Sequence, residues 1–300
     1  MVSTVMAGGA VDVQSASRRR CHDGRVPNGR WGVRARLLLR ILLIVVFLTP
    51  LAFMIAGSLR RVDLPPPPGF DPIPDDPGLT AYDRVADVVP LGRLFINSAV
   101  VVLIAVPLTV LVATWAGFAL AQLPRRARRL LVGVTVGTLM VPLPMLWVAR
   151  FVIYRKLGVL DTPVPLVAPA LAATTPFTVL LAYRAFSRVP PELFEAARLE
   201  GASAFMTWWR VGMPLIRSTA TAVAALAFVF HWGNFLDALL YVQSQDQRTL
   251  PLGLGELADL DSNETSVLLA GAVILAVPAL LALLAVQRQL LHTTQLVEDR

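Results

Sequence analysis

The sequence predicts an all-α protein that crosses a membrane six times, and three observations carry that prediction. Hydrophobic residues make up 56% of the 300 residues and charged ones 16%, against roughly 45–50% and about 25% in soluble globular chains; mean hydropathy is +0.65. Six stretches of at least 19 residues contain no Asp, Glu, Lys or Arg, and about 20 helical residues cross the ~30 Å of a bilayer's hydrocarbon core. The basic residues cluster in the short segments beside alternate stretches, as the topology of a multi-span protein requires.

In chain order, residues 1–36 are Arg-rich with Gly, Ser and Asn and no apolar period, which reads as a disordered tail beside an anionic leaflet. The first span is 41–59. It is too long for a signal-peptide core, so it is expected to be retained. The loop 60–93 holds Pro65 to Pro68 and six aspartates and is expected to be an extended, solvated spacer. Spans two to four follow at 94–123, 130–149 and 162–183, the fifth at 218–236 and the sixth at 265–287. Between the last two, residues 242–264 form an acidic loop that either faces an external partner or is simply solvated. Prolines 50, 107, 142, 144, 169, 176 and 278 lie inside the spans. Each removes a backbone donor, so kinks are expected.

With the N-terminus inside, 19 of the 27 basic residues fall in cytoplasmic segments and eight outside. The positive-inside rule therefore places both termini, including the short tail 291–300, in the cytoplasm of a multi-pass cell-membrane protein.

The same composition excludes several function classes. The net charge of +7 resides beside apolar runs, where it answers lipid headgroups rather than nucleic acid. One cysteine, Cys21, and three histidines give no disulfide framework and no metal cluster. The only lysine, Lys156, follows Arg155 rather than a glycine loop, so a phosphate-binding loop is missing and any ATP must be hydrolysed by another subunit. No HExxH, GxSxG or intramembrane aspartate pair occurs. No catalytic residue and no cofactor is expected. His231 reads as a buried hydrogen-bonding residue, and Asp237 as an aspartate at the end of a span. A gradient-driven transporter would need repeated halves and intramembrane charges, neither of which is visible.

The most informative segment is the cytoplasmic loop, about residues 187–214. Pro191 suits a first helical position, Glu192 and Glu195 favour a helix N-terminus, and Gly201 can take the left-handed conformation that ends a helix. Ala196 and Ala197 lack bulk and permit close approach by another surface. Phe205, Trp208, Trp209 and Gly212 follow at helical spacing before Pro214 leads into the fifth span. On physics alone, an amphipathic connector and a docking element fit equally well.

The spacing Glu195-Ala196-Ala197, then Gly201, then Val211-Gly212-Met213-Pro214 resembles the signature of the inner-membrane permease subunits of ATP-binding-cassette importers. Asn97-Ser98, the run from Leu157 to Thr162, the run from Trp232 to Leu236 and the run from Thr249 to Leu254 are similar to the carbohydrate branch, specifically the second permease of maltose-type systems. The resemblance covers about residues 35–290 and does not include the glycine-rich ending common in the family. It implies the type I importer permease fold in a domain spanning 37–290, and an ATPase-coupling role for Glu195, Ala196, Ala197, Gly201 and Pro214. It also implies a homologous permease partner, two ATP-hydrolysing subunits and an extracytoplasmic solute-binding protein. The implied cargo is a sugar or oligosaccharide, with a polyol, glycerol phosphate, peptide or anion as alternatives. Trp232 and Asn234 are the candidate solute contacts, with core packing as the competing role for Trp232.

Overall fold

The computed structural model describes residues 30–62, 76–172, 174–260 and 264–298, and these hold helices, turns and loops with no strand among them. The chain divides into two compact units, Met1–Leu51 and Ala52–Arg300. Helix α1, Arg30–Ser58, begins inside the first. Its side chains from Leu37 to Leu48 are apolar and exposed around the whole helix except at Arg40, the pattern of a helix solvated by lipid. The tail predicted over 1–36 lies outside the described residues up to position 29, and α1 starts before that tail's expected end.

In the second unit, α2 (Thr80–Val88) precedes α3 (Leu91–Gln122), a single 32-residue helix. At 1.5 Å per residue α3 is about 48 Å long, more than the hydrocarbon core requires. The helices α4 (Arg125–Leu139) and α5 (Leu143–Leu157) meet at 91°. The third predicted span is therefore a bent pair rather than one rod. Pro142 sits at the break and Pro144 just inside α5, and neither can donate to a continuous helix. The fourth span is also broken: α6 (Val164–Val167) passes into a 3₁₀ turn, Ala168–Ala172, before α7 (Pro176–Phe186). After α8 (Pro191–Leu199), α9 (Ala204–Met206), a π-helical turn and α10 (Met213–Leu215), the chain bends by 89° into α11 (Arg217–Trp232). Then come α12 (Phe235–Tyr241), α13 (Leu250–Gly255) and α14 (Thr265–Glu298). Among the described residues, four helical stretches are long and apolar enough to cross a membrane, or up to six counting each bent pair as one span.

Two of the loops between predicted spans are structured. Residues 80–88 form α2, whose Ala81 and Val85 are fully buried against Leu94 of α3 and Val267 and Ala270 of α14. The i, i+4 spacing of Ala81, Val85 and Val89 supplies the apolar stripe, which the aspartates on the other face obscure. Pro65 to Pro68 lie outside the described residues. Within 242–264, α13 is buried along its length except at Gly255. A Cβ at Gly253 would stand 2.3 Å from Leu94 Cδ1, so α13 packs onto α3 as closely as glycine allows. α14 continues past the predicted end of its span at Gln287 into the expected tail.

Candidate functional site

The loop 187–214 folds as its residue types demand. Pro190 is extended and Pro191 opens α8, with Glu192 in the first turn and Arg198 in the last. At the other end Gly201 has φ +84°, its N–H donates to Arg198 O at 3.0 Å, and Ala202 N–H donates to Ala197 O at 3.0 Å. These two bonds form a Schellman cap, which needs a residue in the left-handed region at this position. Phe194 and Ala197, three apart, are buried, whereas Glu192, Leu193, Glu195, Ala196, Leu199 and Gly201 are exposed. One face of α8 therefore holds it to the body and the other is free.

The buried face joins a cluster of Phe118, Phe186, Phe194, Trp208 and Ile216. Phe118 of α3 meets Phe186 and Phe194 edge to face at 5.4 and 5.5 Å, and Trp115 meets Trp208 the same way at 5.0 Å, geometries that add to simple burial. Arg198 Nη2 donates to Gln122 Oε1 at 2.6 Å. Of the aromatic stripe predicted after α8, Trp208 is buried, while Phe205 and Trp209 remain half exposed. Residues Thr207–Gly212 form the π-helical turn, and a Cβ on the buried Gly212 would lie 2.9 Å from Phe186 Cε1. Pro214 is exposed in α10, immediately before the 89° bend.

At the opposite end of α3, segments far apart in sequence converge. Asn97 Nδ2 donates to Asp246 O and Arg248 O, both at 2.8 Å, and Ser98 Oγ accepts from Leu250 N–H at 2.7 Å. Asp161 Oδ1 accepts from the N–H groups of Gln243 and Ser244 and from Ser244 Oγ at 2.8–3.0 Å. These donors hold the Asp161 carboxyl below the usual carboxylate range, the Ser244 backbone bond contributing most. Asp161 N–H in turn donates to Tyr241 O at 2.9 Å, and Tyr241 OH donates to Trp147 O at 3.3 Å. α12 is thus tied to the loop after α5 and to α5 itself.

That tie shapes a cavity of about 480 Å³ between α5, the break before α7, and the α11–α12 junction, lined by Trp147, Arg150, Thr174, Phe235 and others, within the ~300–1,000 Å³ of small-molecule sites. Asn234 caps α12: its Oδ1 accepts from Asp237 N–H at 3.2 Å and its Nδ2 donates to Asp237 Oδ2 at 2.9 Å. Asp237 is buried, and Arg150 Nη1 stands 3.9 Å from Asp237 Oδ2. Behind the cavity the buried His231 Nε2 lies 3.1 Å from Thr174 Oγ1, which lies 2.6 Å from Thr109 Oγ1.

Of the two residues proposed from sequence as solute contacts, Asn234 lines this cavity. Trp232 does not; it is buried, its Nε1 donates to Leu275 O at 2.9 Å, and its ring packs on Phe95 and Phe228. Arg150 and Asp237 were missed as a pair because they stand 87 positions apart and each reads singly as a charge at a span end. No group of three or more metal-ligating side chains occurs among the described residues.

Residues 109–290 match the family described as binding-protein-dependent transport system inner membrane component. The chain is 30% identical over 215 residues to the lactose transport system permease protein of Rhizobium radiobacter, covering 71% of this chain and 78% of that protein. It is 28% identical over 257 residues to the diacetylchitobiose uptake system permease protein of Streptomyces coelicolor, covering 84% of each. Among solved structures it superposes with a TM-score of 0.70 on a bacterial ABC transporter involved in the import of the acidic polysaccharide alginate, at 21% identity, over 86% of this chain and 95% of that one. At that identity the likeness shows a shared fold.

Proposed function

The chain belongs to the binding-protein-dependent transport system inner membrane components, and we propose that it is the permease subunit of an ATP-driven importer for a sugar or oligosaccharide. The observation that carries the reading is α8: a capped helix with one face fixed to α3 and α7 through Phe194 and Arg198 and the other open at Glu195, Ala196 and Leu199. A surface so built receives a force and passes it to the spans. Glu195, Ala196, Ala197 and Gly201 form the ATPase-coupling helix and Pro214 directs the chain from it toward α11; Ala197 acts from the buried side. The domain spans 37–290 with both termini cytoplasmic. A homologous permease completes the pathway, two partner subunits hydrolyse ATP, and an extracytoplasmic solute-binding protein delivers cargo.

The mechanism is alternating access. Closure of the ATPase pair moves α8, and the spans exchange inward- and outward-facing states to which the cargo binds with different affinity. This chain performs no covalent step. Asn234 lies on the cargo path, and Trp232 supports it from the core. The cargoes of the lactose and diacetylchitobiose permeases support the sugar class.

The test is ATP hydrolysis by the assembled complex in lipid, with its binding protein and a panel of sugars, polyols, glycerol phosphate, peptides and anions added singly. Stimulation by one sugar is expected. Stimulation only by a non-sugar removes the carbohydrate assignment, and failure of a folded ATPase pair to associate removes the permease reading.

A further inference from the structure

The cavity beside α12 contains a feature that packing does not require. Burying an ion pair seldom adds stability, because desolvation offsets the attraction, and ionisable groups among membrane spans mark functional positions. Here Asp237, with a side chain only 6% exposed, faces Arg150 at the loose distance of 3.9 Å. Asn234 holds the carboxylate and the cavity walls add the aromatic side chains of Trp147, Phe230 and Phe235.

We propose that Asp237 and Arg150 are the specificity-determining residues of a solute station in this cavity, selecting neutral, hydroxyl-rich ligands and rejecting anionic ones. This rests on the sugar-importer reading and extends it. A neutral diol can donate to the carboxylate and accept from the guanidinium at once, since the first group only accepts and the second only donates. An acidic sugar has the guanidinium already neutralised against it and meets the repulsion of Asp237. Flat aromatic walls suit the C–H faces of a sugar ring, as in other largely apolar sites with a few placed polar groups. Removing Asp237's charge leaves Arg150 uncompensated, which inverts the preference from neutral to anionic ligand.

The experiment uses the full complex in lipid nanodiscs without binding protein, so that delivery does not filter the ligand. In a Cys21→Ser background, Leu236→Cys places a thiol on the cavity wall, and its reaction rate with a charged methanethiosulfonate is measured with lactose, diacetylchitobiose or glucuronate present. With the native pair, the neutral sugar that the complex transports slows labelling and glucuronate does not. With Asp237→Asn added, the ratio of glucuronate to neutral-sugar protection rises by about tenfold, the equivalent of ~1.4 kcal/mol. Equal labelling with and without a sugar that the complex demonstrably transports overturns the station, and this arm stands even where Asp237→Asn does not assemble. An unchanged preference in an assembled Asp237→Asn complex overturns the role of the pair. Failure of the unmodified complex to transport any sugar overturns the sugar-importer reading instead, so the two failures are distinguishable.

Discussion

Substituting alanine for Gly117 tests whether the crossing of α3 and α7 is as close as the structure requires. An added Cβ would stand 2.6 Å from Tyr183 N, 2.7 Å from Ala182 Cβ and 2.8 Å from Ala182 C. Ordinary contact begins near 3.4 Å, so the helices must part by about 0.8 Å, and two of the three obstructing atoms are backbone that no rotamer change moves. Overpacking of this kind costs about 1–3 kcal/mol, against a gain of up to ~1 kcal/mol from replacing glycine within a helix. The net expectation is destabilisation. Gly133 on α4 is the control, because its Cβ would meet nothing within 4 Å; Gly133→Ala should stabilise by about 0.5–1 kcal/mol. Denaturant titration of the full chain in bicelles, followed by tryptophan fluorescence, separates the two. Equal shifts for both variants would refute the close crossing. Transport should also fall for Gly117→Ala, because the adjacent Phe118 and the C-terminal Phe186 of α7 are what α8 packs against.

Gly201→Ala forces a Cβ onto a residue at φ +84°, costing about 1–2 kcal/mol, and Gly201→Asp adds charge to the same strain; both should lower sugar transported per ATP hydrolysed while leaving the protein in the membrane, and normal coupling in both would remove the role of the cap. Glu195→Lys reverses a charge on the exposed face of α8 and should weaken ATPase association, measured by co-purification across salt concentrations, with wild-type retention counting against that face as the docking surface. Phe194→Ala should destabilise by about 3–5 kcal/mol as a buried aromatic truncation, read by denaturant titration; a loss under ~1 kcal/mol would mean α8 is not anchored there. Asp161 has a depressed folded-state pKa, so its stabilisation is fully present above the unfolded value near 3.8 and fades as pH falls through the lower folded value. The gap between the thermal midpoints of wild type and Asp161→Ala should accordingly be widest at neutral pH and begin to narrow as the pH falls below about 3.8; a constant gap across that range would refute the ionic origin of the Asp161 contacts.

The helical ends of the loop 187–214 were legible in sequence because proline at a helix start and glycine at its end act locally. Pro191 and Gly201 do what their backbone preferences dictate in any context. Span positions were legible for the same kind of reason, since a run without charge over some 20 residues has few other uses. Where helices break was less so: nine prolines lie inside the spans, yet Pro107 sits within a continuous α3 while Pro142 marks a 91° bend. A missing donor permits a bend without demanding one, and neighbouring packing decides. α2 was hidden because its buried face is three small residues amid aspartates. The Arg150–Asp237 pair was invisible because no local rule links two charges brought together only by the tertiary fold.

The contacts of α8 and those of the 246–250 segment share one element. α3 presents Asn97 and Ser98 to the 246–250 segment at its start and Phe118 and Gln122 to α8 at its finish. Its 32 residues are one helix despite Pro107, so no break in the backbone separates its α8 end from its 246–250 end. α7 is different. Its span is interrupted between the 3₁₀ turn and Pro176, where Thr174 is held at φ +62°, a strained conformation for a β-branched residue. There the backbone N–H of Thr174 donates to Pro169 O at 2.8 Å, and its side chain bonds to Thr109 of α3 and His231 of α11. In a membrane interior those groups have few other partners. The continuous helix and the broken span therefore meet beside the cavity through Thr174, which bonds to α3 and forms part of the cavity wall.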